Sequence, residues 1–456
     1  MKLQTQARPA GRRRKGVAVL LTAGMMAVTV PIVGLAVDAS LLYAIKARLV
    51  AAVDAGALAG ARSLSRGQDL ASQRDNAAST AERFFTANFP DQYLFTTNRT
   101  VNTVVDETQL KLRTVKVTAS VRAPLYFMRS LGLTSSTIVA TGTAARRDVN
   151  IMLVIDRSGS LGPSGSNACA DVKEAAKTFV SYFANGRDRI GLVSFAITYN
   201  VDFAPSFNFQ TASPNINTMI DAINCASGTS TAQALTKAWE QIKTLNEPGA
   251  LNAIVFFTDG QPNTITADWP IKTSSTCNSK TPKRAGLALA GSTVYGLYQY
   301  LPGSTEGNLL TNDSGCSFYP NHPNYVTSDI AAYMVAQDIY GNSTSGYLAF
   351  LGSSPYKIVN YSSVYNNNMA IAATNAADNA ATAIRNDTLN PVIYSIGLGG
   401  ATDAPAETFM RRVANDPGSP IYDSSKPAGM YVYAPNKAQL KDAFIRIASM
   451  VLRLAQ

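Results

Sequence analysis

The sequence predicts an α/β protein in three parts: an N-terminal transmembrane helix, a small α+β unit, and a doubly wound (Rossmann-like) domain interrupted by a large insertion. Three observations predict it. Residues 16–37 form an uncharged 22-residue run behind a basic tail. From residue 149 onward, continuous apolar runs alternate with helical segments, the pattern of buried parallel strands and their crossover helices. Between residues 261 and 365 that rhythm stops, in a stretch that holds 11 of the chain's 20 tyrosines.

The charge distribution supports the first part. The 456 residues carry 40 Lys plus Arg against 30 Asp plus Glu, a formal charge of +10. Six of these charges (Lys2, Arg8, Arg12, Arg13, Arg14 and Lys15) lie in residues 1–15, which contain no acid. The basic excess therefore reads as a topogenic tail and not as a nucleic-acid surface. At 1.5 Å per residue the uncharged run makes a helix of roughly 33 Å, enough to span a bilayer. The positive-inside rule then holds the N-terminus in the cytoplasm and puts everything after Asp38 outside. Pro31 is tolerable in such a helix. A cleaved signal peptide is the alternative. Against it, the run is long for a signal core and no clear A-x-A site follows it directly.

The helical pattern continues past the run. Leu41, Leu42, Ile45, Leu49, Val50, Val53, Ala57, Leu58 and Leu64 recur mostly at spacings of three, four and seven. Small residues crowd positions 51–61, either as a face for close helix–helix approach or as an ordinary packed helix. The first parts are thus residues 1–15 as cytoplasmic tail, 16–66 as transmembrane and continuing helix, and 67–147 as the α+β unit. In that unit, residues 71–88 read as a helix, 101–105 and 110–121 as strands, 123–131 as a short helix starting near Pro124, and 137–144 as another strand.

Residues 148–456 form the doubly wound domain. VNIMLVID at 149–156 is a buried parallel strand. There follow helix 171–185, strand 189–195, helices 217–224 and 232–245, and strand 253–257. After the insertion at about 261–365 come strand 392–397, helix 404–413, strand 431–433 and a closing helix 437–454. The insertion holds helical fragments, such as 328–337, but no long βα rhythm. It emerges from the carboxyl end of a strand, where open α/β sheets carry their ligand sites. Its role is either to modify binding there or merely to elaborate the surface.

Cys169, Cys225, Cys277 and Cys316 all follow the apolar run. An even number in an exported protein favours disulfides, and three connectivities are possible. The preferred one pairs Cys169 with Cys225 and Cys277 with Cys316. No C-x-x-C occurs, so zinc or redox chemistry has little support.

The strongest chemical signal is Asp156-Arg-Ser158-Gly-Ser160, at the end of the first strand of the domain. A carboxylate and two hydroxyls spaced by two can converge on one side of a tight loop. They are hard oxygen ligands suited to Mg²⁺, Mn²⁺ or Ca²⁺. Thr258-Asp259-Gly260 follows another apolar strand, and Gly228-Thr229-Ser-Thr231 precedes a helix.

This D-x-S-x-S loop resembles the metal-ion-dependent adhesion site of von Willebrand factor A domains. Matched by position and order, Asp156, Ser158, Ser160, Thr229 and Asp259 correspond to that family's set. VIYSIGLG at 392–399 resembles its later core strand. The resemblance covers about residues 149–260 and 390–454. It implies a divalent cation, Mg²⁺ before Mn²⁺ or Ca²⁺, bound directly by Ser158, Ser160 and sometimes Thr229. Asp156 and Asp259 would bind directly or through water. With few carboxylates bound directly the ion stays electrophilic, and a protein ligand's Glu or Asp completes the shell.

The basic tail, the apolar helix, Val37-Asp38 and ALAGA at 57–61 resemble the start of TadE/TadG-like proteins of tight-adherence (Flp) pilus assembly. TadG-like members often carry a C-terminal von Willebrand factor A domain, in the order seen here. Members cleaved by prepilin peptidase have a Glu five residues into the apolar run. This chain has none there, so an intact anchor is expected.

An enzyme is the competing class. The one histidine, His322, lies in the insertion, and no G-x-S-x-G, Walker A or G-x-G-x-x-G motif occurs. A site short of directly bound carboxylates suits binding better than activation of water. The expectation is a non-enzymatic, single-pass protein of the bacterial inner membrane, its main part periplasmic or extracellular. It would act in tight-adherence pilus assembly or surface adhesion, with pilus-assembly or envelope proteins as partners. The alternatives are an envelope scaffold or sensor with no pilus role, and an extracytoplasmic metalloenzyme.

Overall fold

The computed structural model describes residues 14–67, 69–108, 111–269, 283–290, 294–301, 312–313, 316–317, 335–339, 343–344, 350, 365–399 and 407–455. The chain divides into two units. The first comprises residues 1–63, 74–107 and 113–145; the second comprises 64–73, 108–112 and 146–456.

The first unit is built on α1 (Arg14–Ser63), an unbroken 50-residue helix with Pro31 inside it. Its two halves bury different amounts because their sequences differ. Val17, Leu20, Met25, Val30 and Ile32 are exposed, so this half has an apolar surface on all sides. It is long and apolar enough to cross a membrane. Further on, Ile45, Leu49, Ala52, Val53, Ala57 and Ala61 are fully buried along one helical face.

α2 (Leu70–Asn88) packs there through small residues. A Cβ on Gly56 would stand 2.9 Å from Ala81 O, and one on Gly60 would stand 3.1 Å from Ala77 O and from Ala81 Cβ. The crowding of small residues at 51–61 is therefore a close helix–helix seam. The antiparallel sheet β1 (Thr97–Asp106), β2 (Leu112–Pro124) and β3 (Ser135–Arg147) completes the unit, with β2 in the centre.

The short helix expected at 123–131 is not formed. Strand β2 runs to Pro124, and only a 3₁₀ turn at Met128–Leu131 follows. Gly132, at φ 86°, then turns the chain back into β3, leaving no room for a longer helix.

In the second unit, β4 (Val149–Asp156) is buried along its whole length. Its side chains alternate between two cores, Val149, Ile151, Leu153 and Ile155 in one and Met152 and Val154 in the other. A continuous apolar run is what a strand covered on both faces requires.

The elements that follow are α3 (Cys169–Val180), β5 (Arg189–Phe195), β6 (Tyr199–Ser206), α4 (Ile216–Ala222), α5 (Thr231–Leu245) and β7 (Leu251–Thr258). Then come β8 (Thr264–Trp269), β9 (Lys283–Ala290), β10 (Val294–Gln299), and the short pair β11 (Asn312–Asp313) and β12 (Cys316–Ser317). The chain closes with α6 (Tyr365–Arg385), β13 (Val392–Leu398), α7 (Glu407–Ala414), β14 (Met430–Ala434) and α8 (Leu440–Leu454).

Among the described residues the main sheet has the order β14-β13-β7-β4-β5-β6, parallel except for β6. Residues of α3, α4 and α8 pack on one face, and residues of α5, α6 and α7 on the other. From β4 the chain moves to β5 on one side and returns to β7 on the other. The topological switch point therefore lies between β4 and β7.

Several elements depart from expectation, among them α6, a 21-residue helix where none is expected. β6 is an antiparallel edge strand whose half-exposed sequence, with Asp202 and Pro205, lacks an apolar signature. The segment after β7 begins with an antiparallel sheet, β10-β9-β8, in place of a patternless loop. Most of the helical fragment expected at 328–337 lies outside the described residues.

A buried ion pair stands near the start of the second unit. Arg146 donates to Asp188 through both terminal nitrogens, at 3.1 and 2.5 Å. Asp188 also accepts from the backbone N–H of Val149 and Ala184.

Candidate functional site

β4 and β7 run side by side in parallel register, Ile155 beside Phe257. Their carboxyl ends deliver Asp156 and, one residue beyond β7, Asp259, both fully buried. The turn after β4 is held by its own side chains. Asp156 Oδ1 accepts from Ser158 N at 2.7 Å, and Ser158 and Ser160 Oγ lie 3.0 Å apart. Ser160 Oγ donates to Asp259 Oδ1 at 2.7 Å, and Ser158 Oγ reaches the same oxygen at 3.4 Å. The D-x-S-x-S loop and the loop after β7 are thus joined side chain to side chain.

The third loop docks through its backbone. Gly159 N donates to Ser227 O, and Ala226 N donates to Arg157 O, both at 2.8 Å. A Cβ on Gly159 would stand 3.1 Å from Ser227 N, so the residue between the two serines must be small for the loops to meet. This contact brings the start of the Thr229 loop against the turn. Thr229 itself is buried, with its N–H on Asn263 Oδ1 at 2.7 Å and its carbonyl accepting from the N–H of Asn263 and Thr264. Its backbone bonds run to Asn263 and Thr264, while the other four predicted residues bond among themselves.

The disulfide Cys169–Cys225 ties the N-terminal end of α3 to this same loop, with Cα atoms 6.1 Å apart. The second expected pair falls on Cys277, which lies outside the described residues, and on Cys316 in β12, whose side chain lies outside them too. His322 is likewise outside them.

One neighbour was missed as a participant. Thr258, the last residue of β7, donates its hydroxyl to Asp156 Oδ2 and also bonds Gly260 O at 3.1 Å. The signal was its place beside Asp259 in the Thr-Asp-Gly turn.

The electrostatics are those of a crowded anion. Burial, and then the Asp259 carboxylate, push the Asp156 carboxyl up to about 8, against hydrogen bonds from Thr258 and Ser158 that pull it down. Two buried carboxylates with two serine hydroxyls between them form an oxygen-only donor set, which suits a hard divalent cation. Asp156, Ser158, Ser160 and Asp259 stand where they could hold one, and Thr229 lies in the loop whose start docks on that turn. Among the described residues no group of three or more His, Cys, Asp or Glu side chains gathers as a metal site. Any cation here must therefore rely on hydroxyls and water.

The comparisons define the class of protein first. Residues 151–261 match the family model described as von Willebrand factor type A domain. Residues 16–63 match that described as putative Flp pilus-assembly TadE/G-like. Residues 16–63 thus match a TadE/G-like segment, and residues 151–261, after it in the chain, match a von Willebrand factor type A domain.

Similar solved structures include the pilus adhesin SpaC from Lactobacillus rhamnosus GG, at 14% identity and TM-score 0.39 over 78% of this chain and 34% of that one. The PilB minor pilin from Streptococcus sanguinis is 15% identical, with TM-score 0.37 over 79% of each chain. The vWF domain of the type V pili tip protein Mfa5 from Porphyromonas gingivalis is 18% identical, with TM-score 0.38 over 69% of this chain and 98% of that one. This chain therefore spans about a third of SpaC and most of the other two. No curated protein matches it.

Proposed function

We propose that this chain is a membrane-anchored, extracytoplasmic protein of tight-adherence pilus assembly or surface adhesion. It binds a partner's Glu or Asp through a divalent cation held by Asp156, Ser158, Ser160, Thr229 and Asp259. The carrying observation is the bonded cluster at the β4/β7 switch point, where Ser160 Oγ meets Asp259 Oδ1 at 2.7 Å beside a second buried carboxylate. A cation would offset the repulsion between the two carboxylates, and the serine hydroxyls supply neutral ligands. Mg²⁺ keeps coordination positions for water, and a partner carboxylate can take one of them.

The TadE/G-like match over residues 16–63 supports the pilus setting. The apolar half of α1 supports an anchor in the inner membrane with the basic tail in the cytoplasm. A binding role is preferred to catalysis because the hydroxyls and carboxylates of the cluster form an oxygen-only set suited to a hard cation.

The test is calorimetry with Mg²⁺ on the full chain in detergent, alongside Asp156→Ala. The wild type should bind and the variant should not. Equal heats from both would remove the adhesion-site reading. A pull-down from envelope extract with and without a chelator would then identify the carboxylate donor.

A further inference from the structure

The loop between β2 and β3 lies against α1 at the end of its apolar half. Asp38 follows the uncharged run of α1 directly, and its carboxylate is buried. It accepts the backbone N–H of Tyr126, Phe127 and Met128 at 2.9, 3.0 and 2.8 Å. Phe127 lies even further along the span. A Cβ on Gly34 would stand 2.6 Å from the Phe127 ring, and Gly34 is one helical turn before Asp38, inside the apolar run.

Around this contact the loop turns apolar side chains outward. Tyr126 is 53% exposed, Phe127 45%, Leu131 74% and Leu133 51%. An aqueous loop has no reason to display four such residues within eight positions. Beside them the exposed apolar surface of α1 begins, so the two surfaces are continuous.

The backbone is prepared for a medium without water. Besides the three N–H groups taken by Asp38, Leu125 N donates to Thr134 O, Ser130 N to Phe127 O, Gly132 N to Arg129 O and Leu133 N to Met128 O. Non-helical backbone enters a bilayer only when its polar groups are satisfied internally. A loop meant for water would not need a buried carboxylate to cap three successive amides.

We infer that residues 126–133 insert into the outer part of the bilayer beside α1, giving the protein a second, non-spanning grip on the lipid. Leu131 and Leu133 enter the acyl region. Tyr126 sits at the headgroup level, where aromatic side chains with a polar end are enriched. Arg129 reaches back toward the lipid phosphates. This inference rests on the reading of α1 as a membrane span.

The full chain is reconstituted in phosphatidylethanolamine–phosphatidylglycerol vesicles whose lipids carry bromine on the acyl chains. Tryptophan emission is then compared among Leu131→Trp, Val30→Trp in the span and Val104→Trp on β1, each corrected for the wild type's own tryptophans. The expected result is a loss of emission for Leu131→Trp approaching that of Val30→Trp and well above that of Val104→Trp. Quenching at Val30 with none at Leu131 overturns the inserted loop and leaves the span standing; the apolar residues would then face a protein partner. Quenching at neither position overturns the span and the loop together. Leu131 is the most exposed of the four side chains, so its substitution does not test folding.

Discussion

Ser160 Oγ donates to Asp259 Oδ1 at 2.7 Å, closing a gap of 99 residues in sequence. A hydroxyl that now gives its proton to a carboxylate can turn a lone pair to a cation in the same place. Removing it should weaken Mg²⁺ binding at least as much as losing an outer-shell partner, roughly 10–100-fold. Calorimetry on Ser160→Ala measures this directly. An affinity within experimental error of the wild type would exclude Ser160 as a ligand.

Asp156→Asn separates repulsion from binding. In chelator it should melt higher than the wild type, because the amide avoids the cost of either protonating Asp156 or burying its charge beside Asp259. Each kcal/mol relieved is worth roughly 2–4 °C in a domain of about 150–250 residues and less in a larger one. The amide can still accept from Ser158 N. The Thr258 hydroxyl can accept from the amide while donating to Gly260 O. With Mg²⁺ added, the order should reverse, since only the wild type gains from the ion. Thermal melts in chelator and in Mg²⁺ give both comparisons.

Arg146→Ala should be the most destabilising of the surface-distant charge deletions, by about 3–5 kcal/mol, because it leaves Asp188 buried without its cation. Arg284→Ala removes an ion pair with Asp268 in which both partners are nearly half exposed, and should cost less than about 1 kcal/mol. Denaturant unfolding of the two variants side by side checks the contrast.

Asp202 provides a pH signature. Burial raises its carboxyl above the usual range, against the opposing hydrogen bond from Ser194 and the Arg157 charge. A raised folded value means that the native state holds the proton more tightly than the unfolded chain. Its stabilising effect is complete at low pH and is lost as pH rises through the folded value. Asp202→Asn abolishes this titration and can still accept from Ser194 N. The stability of the variant relative to the wild type should therefore increase from pH 4 to pH 7. A constant difference across that range would show that Asp202 titrates normally.

Cys225→Ser opens the link between the start of α3 and the loop that leads to Thr229. With the two cysteines 56 positions apart, the loss should be about 2–4 kcal/mol in stability. Mg²⁺ affinity should fall as well, because the docking of Ser227 O on Gly159 N loses a neighbouring restraint. Unfolding and calorimetry on one preparation resolve the two effects.

The parts of this fold that were legible are those whose environment is uniform. The strands β4, β7 and β13 are covered on both faces, so most of their residues are apolar and the run announced itself. β6 lies at an edge, half exposed, and its Pro205 and Asp202 hide it among loop residues. β9 (KRAGLALA) pairs antiparallel outside the βα rhythm, and nothing local distinguishes it from a helical fragment. The turn at 156–160 was legible because its ligands are neighbours in sequence. Thr258 as a partner of Asp156, and Asn263 as the brace of Thr229, depend on loops meeting in space. Asp38 was visible only as the first charge after the apolar run; that it caps a loop some 90 residues away is a tertiary fact.

The continuity of α1 has a mechanical meaning. On the proposed membrane anchoring, one helix contains both the apolar span and the buried face against α2, so the bilayer would set the angle of that helix. Beyond Val37 the helix runs for roughly 39 Å, so a tilt of about 20° in the span swings its far end by roughly 13 Å. The helix is a lever arm with its fulcrum at the lipid surface. A change in bilayer thickness, or a pull on the outer end, would be converted into displacement without any hinge having to bend.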